Sequence, residues 1–240
     1  MPTFVIVPTY NEADNLPNLL RDILALPVNL TVINVDDGSP DGTGDIAEAW
    51  AANYPGRIVP VHRQAKLGLG TAYIAGFRRA FELGADRVIS MDADFSHNPR
   101  YIPELIAKSD STAADLVIGS RYVPGGAMLY CPWYRKVLSS SANFVARSAL
   151  GLKAHDTTAG FRLYRREVLE SINLDSIFSS GYSFLIEMLY LVERQGWQIG
   201  EIPIIYEDRA AGQTKISRNE IFRALYTVAR LSFRRFVKRQ

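Results

Sequence analysis

A single cysteine, Cys131, in 240 residues excludes an internal disulfide and suits a reducing compartment. Histidine is scarce as well, and His62 and His155 match no metal-ligand spacing. No run of about 18 uninterrupted apolar residues is present that could span a membrane. TFVIVP begins at Thr3 with no basic leader or cleavage site before it, so no secretory signal is read and a cytoplasmic location is expected. There is no Ser/Gly linker, charge block or repeat. With 48% apolar and 22% charged residues, the chain reads as one globular domain over 1–216 with a basic helical tail over 217–240.

The net charge of +2 is unevenly placed. Between Ser217 and Gln240 seven Lys/Arg stand against one acid, Glu220, a local +6 that leaves −4 for the rest. The basic character belongs to the tail and not to the part that carries the acidic motifs, and no nucleic-acid partner is expected.

What is present is an alternation of short apolar runs with amphipathic segments. Strands are predicted at Phe4–Pro8, Leu30–Val35, Ile58–Val61, Arg87–Met91, Asp115–Gly119 and Phe161–Arg165. Helices are predicted at Ala13–Leu26, Thr43–Asn53, Thr71–Leu83, Ile102–Ser109, Trp133–Leu150 and Phe184–Gln195, with a last one from Asn219 towards the end. Tyr122–Tyr134, rich in Gly and Pro, reads as a long loop, and Ile199–Glu207 as an edge strand because Pro203 disfavours a central one. The pattern gives an α/β fold, a mostly parallel sheet with helices on both faces.

Two acidic turns follow strands. One is Asp36-Asp37-Gly38-Ser39-Pro40-Asp41-Gly42-Thr43 and the other Asp92-Ala93-Asp94. Strand ends are where open α/β sheets bind ligands. Carboxylates one residue apart can share a divalent cation, and a nucleoside diphosphate is the usual reason to hold one there. Pro8-Thr9-Tyr10-Asn11-Glu12 ends the first strand. Read alone it is a turn with Asn11 as a helix cap; beside Asp37 at the next strand end, Tyr10 and Glu12 suit a base and ribose. His97 and Ser96 are the candidates for a further ligand. Lys66 in KLGLG lacks P-loop spacing, so those glycines are expected to start a helix or to let the chain pass close to a ligand. Arg121, Arg135-Lys136, Arg209 and Lys215 are expected around the same edge, where phosphate needs forks and point charges. Tyr130, Trp133 and Tyr134 suit an apolar rim or ordinary core packing alike.

PTYNE, DDGSPDGT, KLGLGTAY, MDADFSHNP, GSRY, DTTAGFR and DRAAGQTK occur in this order. Together they closely resemble the polyprenol-phosphate (dolichol-phosphate) mannose synthases, inverting family 2 glycosyltransferases with the Rossmann-like GT-A fold. The resemblance runs to about Lys215. It implies transfer of mannose from GDP-mannose to a polyprenyl phosphate, with Pro8, Tyr10, Glu12, Val35 and Asp37 holding the guanosine part. By the same resemblance, Asp92, Ala93 and Asp94 would meet the diphosphate, and Asp92 and Asp94 would bind Mg2+ or Mn2+. Ser96 stands at a third metal-coordinating position, where some relatives carry glutamine, a better ligand. Arg209 and Lys215 would clamp the diphosphate, and Arg121, Arg135 and Ser139 would receive the acceptor phosphate. Many relatives continue into transmembrane helices; this chain resembles the short, anchor-free type.

Other readings are the same chemistry with UDP-glucose, a transferase acting on a sugar hydroxyl with Glu187 as its base, and a non-catalytic nucleotide-binding module. The intact acidic and basic sets oppose the last. In the tail, apolar residues from Ile221 to Val237 recur with Arg223, Arg230, Arg234, Arg235, Lys238 and Arg239. Its first half, Ile221–Val228, is expected to pack on the sheet. Its second half is expected to lie on an anionic bilayer at the cytoplasmic face, or to dock on a separate membrane-anchor protein.

Overall fold

The computed structural model describes residues 1–207 and 218–237. Strands β1 (Thr3–Thr9), β2 (Leu30–Asp36), β3 (Ile58–His62), β4 (Arg87–Ser90) and β5 (Leu116–Ser120) alternate with helices α1 (Leu16–Leu24), α2 (Thr43–Asn53), α3 (Leu69–Glu82) and α4 (Ile102–Thr112). Then follow β6 (Ala127–Leu129), α5 (Trp133–Leu150), β7 (Arg162–Arg165), α6 (Arg166–Glu170), α7 (Ser183–Arg194), β8 (Ile199–Pro203), β9 (Ile205–Glu207) and α8 (Arg218–Val237).

Seven strands form one sheet in the order β3-β2-β1-β4-β7-β5-β8. The apolar runs of β1, β2 and β4 are continuous because helices cover both faces. Phe4 and Ile6 join the cluster of Tyr73, Phe77 and Leu189, while Val5 and Val7 join that of Leu16, Leu20 and Leu105. Gly68, at φ 100°, leads α3, so the glycines of KLGLG do start a helix.

The sheet is mostly parallel, as expected, and its exception lies in the second half. β7 runs antiparallel to both neighbours, β4 and β5. Ile199–Glu207 is two strands. β8 forms the sheet edge, whereas β9 pairs in parallel with β6 in a separate two-stranded ribbon. After Pro203 the Ile204 amide still donates to Ser120 O (3.0 Å), and the Ala127 amide donates to Ile204 O (3.0 Å), which turns β9 off the main ladder. β6 lies within the stretch read as loop.

Asn11 is not the cap of α1. It takes φ 58°, and its amide donates to Ser39 Oγ (3.0 Å). The Glu12 amide donates to Thr43 Oγ1 and the Ala13 amide to Asp41 Oδ2, both at 3.0 Å. PTYNE is thereby tied to the DDGSPDGT turn, and α1 starts only at Leu16.

The tail helix also differs from expectation. Thr227, Val228 and Leu231 form the buried stripe, and Ser232 Oγ donates to Ala149 O (3.3 Å), while Phe222, Leu225 and Tyr226 of the first half are exposed. Burial follows the i, i+3/i+4 spacing around α8 and not a division between its halves. Among the described residues no helix is long and apolar enough to cross a membrane. Arg209, Lys215, Lys238 and Arg239 lie outside the described residues.

Candidate functional site

The C-terminal ends of β1, β2, β4 and β5 share one edge with the N-terminal end of antiparallel β7. Pro8 and Val35 face each other in register at the β1–β2 end. Val35 has its side chain wholly in the core, so it can offer a ligand only its main chain. Tyr10 is half-buried with Lys66 Nζ 4.0 Å from its ring centre. Glu12 accepts from Asn15 Nδ2 (2.7 Å). Asp37 is at the predicted edge but bound to Arg63 (2.6 Å), and Arg63 also donates to Thr71 Oγ1 (2.7 Å). The expected base-binding carboxylate is therefore oriented by Arg63, a cation outside the expected set.

Asp92-Ala93-Asp94 follows β4 directly. Asp92 Oδ1 accepts from the Tyr73 hydroxyl (3.1 Å), and the Asp92 amide donates to His97 Nδ1 (3.1 Å). Asp94 Oδ1 accepts from the Ser96 amide (3.0 Å) and from Ser96 Oγ (2.5 Å). Ser96 is only 1% exposed, so its hydroxyl holds Asp94 and does not stand in an open ligand position. Ala93 is buried, as is His97, which stacks on Phe161. A Cβ at Gly160 would lie 3.3 Å from His97 Cε1 and 3.6 Å from Asp92 Oδ1, which shows how closely the loop entering β7 backs this turn.

The two carboxylates act on one volume. Burial and then Asp92 hold the Tyr73 hydroxyl well above its ordinary pKa. Burial, Asp94 and Asp92 push Tyr206 up to about 12. Oxygen donors with concentrated negative charge fit a hard divalent cation such as Mg2+ or Mn2+. Among the described residues no group of three or more His, Cys, Asp or Glu could cage a metal. A cation on Asp92 and Asp94 would complete its shell with substrate oxygens and water, as Mg2+ commonly does.

A cavity of about 350 Å³ opens beside this turn. Met128, Leu138, Val145, Ile186 and Val228 give it apolar walls, and Arg121, Arg135, Ser139 and Thr158 supply polar groups. Arg135 and Ser139 lie one turn apart on α5, and Ser139 Oγ is 2.8 Å from the Tyr122 hydroxyl. Arg121 is not the open fork expected. Its Nε and Nη2 donate to Asp156 at 2.7 Å each, and Nη2 also donates to Thr158 Oγ1 (2.8 Å). Burial alone would depress the guanidinium pKa, but Asp156 more than offsets that and raises it. Asp156 is itself 0% exposed, with Glu201 of β8 accepting its amide (3.1 Å).

Arg162 ends the DTTAGFR stretch. It is fully buried and donates to the carbonyls of Ala159 (2.7 Å), Leu185 (2.8 Å) and Thr157 (2.9 Å), fixing the Asp156 loop to α7. Glu187 is buried too and accepts from the Ser179 amide (2.9 Å) and hydroxyl. Tyr130, Trp133 and Tyr134 are 82%, 76% and 58% exposed, a rim and not core.

The Glycosyl transferase family 2 model matches residues 4–172. The chain is 44% identical over 232 residues to polyprenol monophosphomannose synthase of Mycolicibacterium smegmatis, covering 97% of this chain and 87% of that one. It is also 44% identical over 230 residues to undecaprenyl-phosphate mannosyltransferase of Micrococcus luteus, covering 96% and 93%. A mannosyltransferase from Pyrobaculum calidifontis in complex with GDP-Man and Mn2+ superposes with TM-score 0.63 at 17% identity, over 98% of this chain and 64% of that one. Glucosyl-3-phosphoglycerate synthase from Mycobacterium tuberculosis in complex with UDP gives 0.67 at 21%, over 96% and 80%. At these identities the two structures speak for the GT-A fold alone.

Proposed function

The chain belongs to glycosyl transferase family 2, among the polyprenyl-phosphate mannosyltransferases, and from that premise we propose that it transfers mannose from GDP-mannose to a polyprenyl phosphate, inverting the anomeric centre and releasing GDP. One observation carries the reading. The apolar cavity bearing Arg121, Arg135 and Ser139 adjoins the diaspartate turn through Tyr206, which lines the cavity and lies in the field of Asp94. A lipid tail suits the walls, and a phosphate suits the polar groups.

The acids near the cavity agree. A sugar-hydroxyl acceptor needs a carboxylate base, yet Asp156 is bound to Arg121 and Glu187 to Ser179. A phosphomonoester has a second pKa of about 6 and arrives largely as a dianion, needing placement more than deprotonation. Arg135 and Ser139 of α5 would place it, with Arg121 held rigid by Asp156. Tyr10, Glu12 and Asp37 would receive guanosine, and Arg209 and Lys215 the diphosphate. A divalent cation on Asp92 and Asp94 supplies Lewis-acid stabilisation of the departing diphosphate. Tyr73 and Ser96 keep those two carboxylates in place for it. The direct test offers GDP-mannose and UDP-glucose, each with polyprenyl phosphate and Mg2+ or Mn2+, and follows label into the lipid phase. Label from GDP-mannose alone is expected; transfer from UDP-glucose alone overturns the donor assignment.

Arg135→Ala is expected to raise the KM for the lipid acceptor about 10-fold or more while leaving GDP-mannose binding within about 2-fold, since a charge-assisted hydrogen bond is worth ~1.5–3 kcal/mol. Loss confined to GDP-mannose binding would reverse the donor and acceptor sides.

A lipid acceptor also requires contact with a bilayer, and we place it on α5 and α8, at the cytoplasmic face. Trp133 and Phe144 of α5 and Phe222 and Phe233 of α8 are 76%, 69%, 68% and 71% exposed, with Arg223 and Arg234 on α8 as the basic complement. Truncation at Leu231 would uncover the core, because that residue is buried. Phe222→Ser with Phe233→Ser is the cleaner change. It is expected to weaken salt-sensitive sedimentation with anionic liposomes several-fold, with turnover of a short soluble acceptor retained. Unchanged sedimentation would leave a separate anchor protein as the partner of this face.

A further inference from the structure

Helix α5 carries Arg135 and Ser139, yet little of it is buried. Of its 18 residues Asn143, Ala146 and Leu150 are the buried ones, all in the second half. The first half borders the acceptor cavity and leaves Trp133 and Tyr134 in solvent. Ala146 and Leu150 join the core cluster, but apolar contact is non-directional and does not by itself stop a helix from sliding or rolling slightly. Directional bonds do, which is how a single buried Asn fixes register between paired helices.

Asn143 supplies such bonds. It is 5% exposed and follows Arg135 and Ser139 at i, i+4, i+8, on the same face and about 12 Å along the axis from Arg135. Its Oδ1 accepts from the Thr157 amide and hydroxyl, both at 2.8 Å, and its Nδ2 donates to the His155 carbonyl. Thr157 is itself 0% exposed, and its carbonyl accepts from the buried Arg162 (2.9 Å). The residues that alternate with these, Asp156 and Thr158, are the ones that accept from Arg121 Nη2. One short loop therefore holds α5 by His155 and Thr157 and Arg121 by Asp156 and Thr158.

We propose that Asn143 is a positioning residue for the acceptor, locking α5 to residues 155–158 so that Arg135 and Ser139 meet the same phosphate as Arg121. This rests on the reading of the cavity as the acceptor site. Misplacement of a reactant by about 1 Å can cost 10²-fold, and here the groups that would hold the phosphate come from two elements, the end of β5 and α5. Asn143 is not among the residues lining the cavity. Its effect passes through Arg135 and Ser139, so it belongs in the acceptor KM and should fade once Arg135 is removed.

The test compares Asn143→Leu, which roughly keeps the volume and drops all three bonds, with Thr157→Val, which drops only the hydroxyl bond. Kinetics with a short, soluble polyprenyl phosphate are measured beside GDP-mannose binding and melting. Asn143→Leu is expected to raise the acceptor KM about 10-fold and Thr157→Val about 3-fold, with GDP-mannose binding within about 2-fold of the wild type. In an Arg135→Ala background Asn143→Leu should add less than about 3-fold, because the main group it places is already gone. Should Asn143→Leu fail to fold, Thr157→Val, alone and with Arg135→Ala, carries the same comparison. A wild-type acceptor KM in the folded variants, or losses that multiply in full in the double variant, overturns the inference while the acceptor site stands. So does a loss confined to Tm and GDP-mannose binding, which would make Asn143 a residue of the fold alone. Wild-type protein that moves no mannose to a polyprenyl phosphate overturns the proposed function and the inference together.

Discussion

Asp94→Ala should lower mannosyl transfer by about 10³-fold or more, since on the proposed function it removes one of two carboxylates at the point where charge would develop on the leaving group. Stability should change far less. The substitution deprives the Ser96 amide and hydroxyl of their acceptor, at a cost of about 1–3 kcal/mol, while the core strands beneath stay intact. In a chain of this size that corresponds to a Tm shift of roughly 2–12 °C. Asp94→Asn keeps an oxygen for Ser96 and should recover most of that stability without recovering turnover. Raised Mn2+ should rescue neither variant well. Measured together, label in the lipid phase and thermal melts separate the two roles, and near-normal transfer by either variant would remove this turn from the active site.

Asp156→Ala should have the largest effect on stability. It leaves the Arg121 guanidinium buried without its counter-ion, and breaking such a pair typically costs ~3–5 kcal/mol. Transfer should fall as well, because Arg121 loses the groups that aim it along the cavity wall. The pH dependence has a definite sign. Burial would raise the Asp156 pKa, but Arg121 and the surrounding hydrogen bonds outweigh it and hold the carboxyl below its ordinary value of 3.8. Its stabilisation is therefore fully present above about pH 4 and is lost as the pH falls through the lower folded value. The difference in melting temperature between the wild type and Asp156→Asn should stay level from neutral pH to about 5 and shrink below about 4. A difference that grows on acidification would mean that the pair is not charged in the folded protein.

The places of several candidate-site residues in the fold were legible because their setting is local. Asp92 and Asp94 sit at a strand end with nothing else to do in a turn, and the strand before them is a plain apolar run. The Asp37 turn, the glycines before α3 and the α5 position of Arg135 follow in the same way. What was hidden depends on partners distant in sequence. Arg121 reads as an open fork until Asp156, 35 residues on, occupies it. Asp37 reads as unattached until Arg63 is seen beside it, and Tyr73 at helical spacing looks like any core aromatic until its hydroxyl reaches Asp92. The direction of β7 was illegible for a related reason. Four apolar-centred residues carry no mark of orientation, which is fixed instead by the length and path of the chain from β5 to Arg162.

That orientation also sets when the site can exist during synthesis. Ser90 of β4 and Ile118 of β5 both pair with Arg162, so the middle of the sheet closes only after a segment more than 40 residues beyond β5 has been made. Until then β4 and β5 each present an unpaired edge, the kind of surface that recruits other strands. Such long-range pairing is slow because loop closure precedes any reward in contacts. A nascent chain stopped short of Arg165 would carry both acidic turns and still lack the strand that joins the two halves of the sheet. On the proposed function, nucleotide binding should therefore report completion of this late central pairing, and chains cut before it should aggregate and not bind.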